Sequence, residues 1–213
     1  MLILSFCDIF FIEFKPGGLA TILFDIQLNF KNRRQSWKKK GGRPMSGVVN
    51  PKTEVCVILG SGSDQSVIRN SNFAEIMEAM DIGWTLSYCS AERHHAELIN
   101  YLDEVWAMGI RIYVGVVGMV PVLPKIMKAL LPKSAIVFGV AKLMPELGVT
   151  DPAPTIVHST PACPILVCGL DKIGMTNTAL AIAEILSLQD QELAERLTKF
   201  LESYKSGPEF NVE

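Results

Sequence analysis

An α/β fold, with a parallel sheet of five strands between two layers of helices, is what this sequence predicts, and three observations carry the prediction. From Glu54 onward, short and wholly apolar runs such as Val55-Cys56-Val57-Ile58-Leu59 alternate with longer stretches of helical periodicity. The first of these runs lacks the polar alternate face of a half-exposed strand, which is the pattern of a parallel strand covered on both sides. The connections between the runs, 18 to 24 residues each, are long enough for right-handed crossovers.

The first strand, 55–59, ends in Gly60-Ser61-Gly62-Ser63-Asp64. Its glycines permit a tight reversal, and Asp64 is suited to cap the helix that follows. Periodicity predicts that helix over 64–80, with Val67, Ile68, Phe73, Ile76, Met77 and Met80 on its inner face. A second strand over 84–89 leads to a helix over 93–108, with Leu98, Leu102, Val105 and Trp106 inward. The third strand covers 111–116, its helix 123–131, and the fourth strand 135–140. A loop rich in Pro and Gly over 142–154, with a short helix after it, precedes a fifth strand at 165–169. Two helices, 175–188 and 190–204, follow. Together these make a three-layer αβα sandwich of flavodoxin-like strand order. In such sheets a ligand lies at the carboxyl ends of the strands, which here gathers the segments 60–64, 90–95 and 115–124.

The chain of 213 residues is 49% hydrophobic with a formal net charge of −2. That suits one buried domain and argues against a nucleic-acid partner, which needs a basic excess. The five cysteines, Cys7, Cys56, Cys89, Cys163 and Cys168, are odd in number and hold no CxxC pair. They read as thiols in a reducing, cytoplasmic setting and not as a disulfide or zinc framework. His94, His95 and His158 have no zinc-site spacing, and neither a metal nor a cofactor is expected.

Residues 1–44 differ from the rest. The apolar start carries Asp8 and Glu13, falls short of the roughly 20 residues of a membrane helix, and lacks the basic start of a secretory signal. Lys39-Lys40-Gly41-Gly42, shortly before Met45, is what a purine-rich ribosome-binding sequence becomes when translated. The expectation is a leader of translated upstream sequence over 1–44, a domain over 45–206 and a tail over 207–213. A membrane-surface anchor and a disordered extension are the other readings of the leader. N-terminal sequencing of the native protein separates them.

The 60–64 turn has two readings of its own. Backbone N–H groups and the Ser61 and Ser63 hydroxyls at a helix start suit an anion such as phosphate. A tight, well-capped turn with no ligand uses the same residues. The turn is neither a P-loop nor a dinucleotide fingerprint, because the Gly and Lys spacing of those motifs is absent.

Set beside its neighbours, the turn carries a family resemblance. Gly60-Ser61-Gly62-Ser63-Asp64 matches a GSxSD first loop, Ser90-Ala91-Glu92-Arg93 stands where SAHR is usual, and 164–186 follows the frame PVxTVAIGxxGxxNAALLAAQIL. Asp190-Gln191-Glu192-Leu193 with Arg196-Leu197 looks like the last helix of the same family. Over roughly 55–203 the chain resembles PurE, the carboxyaminoimidazole ribonucleotide mutase and aminoimidazole ribonucleotide carboxylase family of purine biosynthesis. The resemblance implies a small-molecule ribotide ligand. It also implies a homo-oligomer, an octamer or smaller, for which an apolar stripe of Leu186, Leu188, Leu193, Leu197, Phe200 and Leu201 gives independent support.

It further implies that Ser61, Ser63, Asp64, Ser90 and Arg93 contact phosphate and ribose, with Gly118 lining the third loop. A guanidinium grips phosphate at two points, and Asp64 can accept from ribose hydroxyls. Arg93 is otherwise a solvated residue of a first helical turn, where its charge is slightly unfavourable. The departures fall on the reactive half. In the family the His of SAHR handles the proton at the imidazole carbon, and its place is taken here by Glu92. A carboxylate serves in that role only if burial raises its pKa. The plain alternative is a Glu in the first helical turn, where its charge is favoured. Glu92 is the candidate acid/base, and His94 is a weaker one. His95, His158 and Lys125 are lesser candidates near the same edge, and each also reads as an ordinary exposed residue. The family's Gly-rich third loop is here Val117-Gly118-Met119-Val120-Pro121-Val122-Leu123-Pro124, whose bulk fills space that glycines leave for a carboxylate. Val117-Gly118-Met119 with Leu123-Pro124 also echoes the PurE-like carboxylase of the nickel-pincer nucleotide cofactor. Three readings follow: a PurE-type carboxylase or mutase, a PurE-like carboxylase of another nucleotide, or a catalytically inactive nucleotide-binding oligomer.

Overall fold

A computed structural model describes residues 53–118, 120–144 and 153–204. The expected leader, the tail and most of the loop after the fourth strand lie outside the described residues. Four strands form a parallel sheet: β1 Thr53–Leu59, β2 Gly83–Tyr88, β3 Ile112–Val117 and β4 Ile136–Ala141. Among the described residues seven α-helices accompany them: α1 Gln65–Arg69, α2 Phe73–Ala79, α3 His95–Ala107, α4 Leu123–Leu130, α5 Ala153–Val157, α6 Asp171–Ser187 and α7 Gln191–Tyr204. The strand order is β2-β1-β3-β4.

Alternation along β1 creates the layers, because successive side chains of a strand point to opposite faces. Val55, Val57 and Leu59 pack with Phe73, Ile76 and Met77 of α2, Met175, Ala179 and Ile182 of α6, and Leu193 and Leu197 of α7. Cys56 and Ile58 pack with Leu98, Leu102 and Val105 of α3 and with Leu123 and Met127 of α4. Both faces of the sheet are covered, which is why β1, β3 and β4 carry no polar face; β2 alternates instead, with Thr85 and Ser87 buried on one side.

Two expectations need correction. The helix expected over 64–80 is broken: a 3-10 turn Gly62–Asp64, then α1, then α2. The break falls at Asn70-Ser71-Asn72, where side chains compete with the backbone for hydrogen bonds. Ser71 Oγ donates to Ile68 O at 2.8 Å and accepts from Phe73 N at 3.3 Å, which ends one helix and starts the next. The expected fifth strand makes a single parallel bridge, Phe138 with Leu166, so the sheet among the described residues has four strands and not five. Leu166 N donates to Val137 O and Gly139 N to Leu166 O, each at 2.9 Å. Pro164 has no N–H to extend this pairing on one side. On the other, Cys168 O is taken by Asn177 Nδ2 at 3.1 Å as the chain turns into α6. Gly169 and Gly174 touch at that turn. A Cβ on Gly174 would stand 2.3 Å from the Gly169 carbonyl carbon, so the crossing needs a glycine.

The last two helices spend much of the stripe that suggested an oligomer within the chain itself. Leu193 and Leu197 are buried against the sheet layer, with Leu186, Phe200 and Leu201 packed beside them. Leu188 alone of that set stands out, 83% exposed.

Candidate functional site

Parallel pairing brings the strand ends level. Leu59 pairs with Tyr88 on one side and Val116 on the other, and Val117 pairs with Ala141. The residues that follow all four strands therefore emerge on one edge.

The first loop is the most organised part of that edge. Gly60 N donates to Val116 O at 2.9 Å, which fixes the exit of the chain from β1. Ser61 N and Ser61 Oγ both donate to Asp64 Oδ2, at 2.8 and 3.0 Å. The hydroxyls of Ser61 and Ser63 stand 2.6 Å apart. Ser61 is the N-cap of the 3-10 turn, and Asp64 closes a reciprocal capping box with it. This differs from the expectation that Asp64 caps the next helix through its own side chain: the carboxylate turns back to Ser61. Asp64 is 2% exposed. Burial pushes its pKa up, while the Ser61 donors, the charge of Lys142 and the Ser63 hydroxyl oppose that rise.

Gly118 comes to the same carboxylate from β3. A Cβ on Gly118 would lie 3.2 Å from Asp64 Oδ1 and 3.3 Å from Met144 Sδ, so the missing side chain is what lets the third loop close over Asp64. Val120 is exposed and Pro121 buried, so the bulk of this loop is only partly turned inward. Met119 lies outside the described residues.

The second loop is looser. Cys89 N donates to Leu59 O at 2.9 Å, which carries the ladder one residue past β2. Ser90 is buried, and its Oγ accepts from Arg93 N at 3.3 Å. Arg93 is exposed and reaches back to the first loop, with Nη2 3.5 Å from Gly60 O. Glu92 is exposed and makes no hydrogen bond or ion pair with a described residue, Arg93 included. His94 is the N-cap position of α3, half-buried, and its Nδ1 has no hydrogen-bond partner among the described residues. His95 is exposed, with Nδ1 3.3 Å from Ala91 O.

The structure thus brings Ser61, Ser63, Asp64 and Gly118 into one cluster, with Ser90 and Arg93 beside it. Lys125 is engaged elsewhere: its Nζ donates to Thr155 O at 2.8 Å and ties α4 to α5. His158 is exposed beyond α5. One residue at this edge escaped the sequence reading. Lys142 follows β4 directly, and its Nζ donates to Ser63 O at 3.2 Å. The available signal was a lysine immediately after a buried apolar strand, at the edge where ligands bind. Among the described residues no three His, Cys, Asp or Glu side chains gather to hold a metal, and no helix is long and apolar enough to cross a membrane.

Comparison with known proteins identifies relatives of the whole domain. A family model described as AIR carboxylase matches residues 54–206. The N5-carboxyaminoimidazole ribonucleotide mutase of Pyrococcus abyssi is 30% identical over 152 residues, covering 71% of this chain and 84% of the relative. The protein of the same name from Escherichia coli K12 is 29% identical over 155 residues, covering 72% and 88%. The crystal structure of Treponema denticola PurE superposes with a TM-score of 0.60 at 21% identity, covering 70% of this chain and 90% of that one.

Proposed function

The chain belongs to the AIR carboxylase family, and we propose that it binds a phosphoribosyl aminoimidazole at the strand-end edge and acts on it as a PurE-type carboxylase or mutase. The observation that supports this most is the cluster around Asp64. A buried carboxylate, two hydroxyls, a side-chain-free Gly118 and an exposed guanidinium meet where an open α/β sheet receives its ligand. The guanidinium of Arg93 and the hydroxyls of Ser61, Ser63 and Ser90 suit phosphate, and Asp64 suits ribose hydroxyls. Glu92 holds the position from which a proton would move to and from the imidazole carbon, with His94 as the weaker candidate. No cofactor enters this reading. The protein works as a homo-oligomer in the cytoplasm, and a monomeric mass in solution would contradict the first part of that statement.

A second reading has an observation in its favour. Burial is what fits a carboxylic acid to proton transfer near neutral pH, and Glu92 is exposed and without a partner among the described residues. On that reading the chain is a catalytically inactive ribotide-binding member of the family. Ultraviolet absorbance of purified protein with aminoimidazole ribonucleotide or its carboxylated forms separates the two. Turnover that Glu92→Ala abolishes supports the enzyme, and tight binding without turnover supports the inactive binder. Failure to bind any phosphoribosyl compound defeats both.

A further inference from the structure

The first loop carries a cation at each shoulder, one at Gly60 and one at Ser63, and the two come from opposite sides of the sheet. Arg93 arrives from beyond β2 and reaches Gly60 O, 3.5 Å from Nη2. Lys142 arrives from β4 and reaches Ser63 O, 3.2 Å from Nζ. Its backbone is fixed by Lys142 N donating to Val117 O at 2.7 Å, one residue past the last β3–β4 pair. The order β2-β1-β3-β4 sets the strands that these two residues follow three strand spacings apart, roughly 14 Å. The Lys142 side chain therefore crosses the end of β3 to reach the loop after β1.

Among the described residues the two side chains hydrogen-bond only to backbone. Both contact carbonyl oxygens, and neither pairs with a carboxylate among the described residues. An ammonium has three protons to donate, and Ser63 O takes one. The charge of Lys142 already reaches the buried Asp64. A ligand with one anionic group suits one shoulder of such a loop and leaves the other cation unmatched. A ligand with two separated anionic groups satisfies both.

We infer that Lys142 is a specificity-determining residue that takes the carboxylate of a ligand whose phosphate lies on the Arg93 side. The site then selects a phosphorylated and carboxylated small molecule over the same molecule lacking the carboxylate. The inference rests on the ribotide reading above and names the end of the ligand that each cation recognises.

Calorimetric titration tests it with two probes, aminoimidazole ribonucleotide and its 4-carboxylated form, on the unmodified chain and on Lys142→Gln, Lys142→Met and Lys142→Arg. A hydrogen bond to a charged group is lost in Lys142→Gln and Lys142→Met, so affinity for the carboxylated probe falls by about tenfold or more. Affinity for the other probe stays the same, and Lys142→Arg retains the preference. Equal loss for both probes shows that Lys142 only braces the first loop through Ser63 O, and overturns the inference. No loss for either probe overturns it too, while leaving the ribotide reading intact. If the unmodified chain binds neither probe, the ribotide reading itself fails and takes this inference with it.

Discussion

The first and second loops leave adjacent strands and are built in opposite ways. The 60–64 loop is closed on itself: Ser61 gives two hydrogen bonds to a buried Asp64, and Gly60 is pinned to β3. The loop after β2 has one buried hydroxyl, Ser90, followed by exposed Glu92 and Arg93 and a half-buried His94. The difference teaches that the groups suited to holding a ligand are set by the fold before a ligand arrives. The groups that would do chemistry lie on a segment that the fold leaves largely open. The two loops also differ in composition: the first is Gly60-Ser61-Gly62-Ser63-Asp64, small and hydroxyl-rich, and the second is Ser90-Ala91-Glu92-Arg93, which ends in two charges.

Substitutions sharpen that contrast, beginning with the largest effect. Asp64→Ala leaves Ser61 N and Ser61 Oγ without their acceptor, and is expected to lower unfolding free energy by about 1–3 kcal/mol. Urea denaturation measures it, and an unchanged midpoint would break the picture of a self-closed loop. Next comes Gly118→Ala, whose Cβ must displace either the Asp64 carboxylate or the Met144 sulfur. A cost of about 1 kcal/mol is expected, together with weaker ribotide binding, both read by thermal shift with and without ligand.

The pH dependence of Asp64 has a definite sign. Its folded pKa is raised above the ordinary 3.8, with burial as the main cause. The folded chain therefore holds this proton more tightly than the unfolded chain does. The contribution is fully present below pH 3.8 and is lost as pH rises through the folded value. The stability difference between the unmodified chain and Asp64→Asn should shrink over that window. Denaturation series at several pH values check it, and a difference that grows with pH would reverse the assignment. The smallest effect is at the open loop. Glu92→Ala is expected to change unfolding free energy by less than about 0.5 kcal/mol, as for an exposed residue with no partner. A larger cost would mean that Glu92 has a structural role, and the contrast between the two loops would soften.

Much of this architecture was legible in the chain. The four expected strands fall on β1 to β4 to within a residue or two, because a strand buried on both faces leaves a continuous apolar signature in β1, β3 and β4, while β2 is marked by β-favouring aromatic and Thr residues. The inner stripe Val67, Ile68, Phe73, Ile76, Met77 and Met80 is buried throughout. The break at Asn70-Ser71-Asn72 was less legible, since apolar periodicity runs across it and the deciding bonds are local side-chain contacts. The run 165–169 reads as a strand by composition, yet pairing stops at Leu166 because Asn177 takes the Cys168 carbonyl.

What the sequence determined by itself is therefore what depends on neighbours along the chain. That covers the alternation of strands and helices, the faces that are buried, and the Gly/Ser turn closing on Asp64. Hydrophobic periodicity and turn chemistry act over a few residues and need no knowledge of strand order. The tertiary structure alone decided which side chains meet across the sheet. Lys142 reaches Ser63 across 79 residues of chain, and Arg93 reaches Gly60 across 33. Those contacts exist because β1 lies inside the sheet, with β2 on one side and β3 and β4 on the other. A local pattern carries no record of that order, because strand order is set by how the helices pack on both faces.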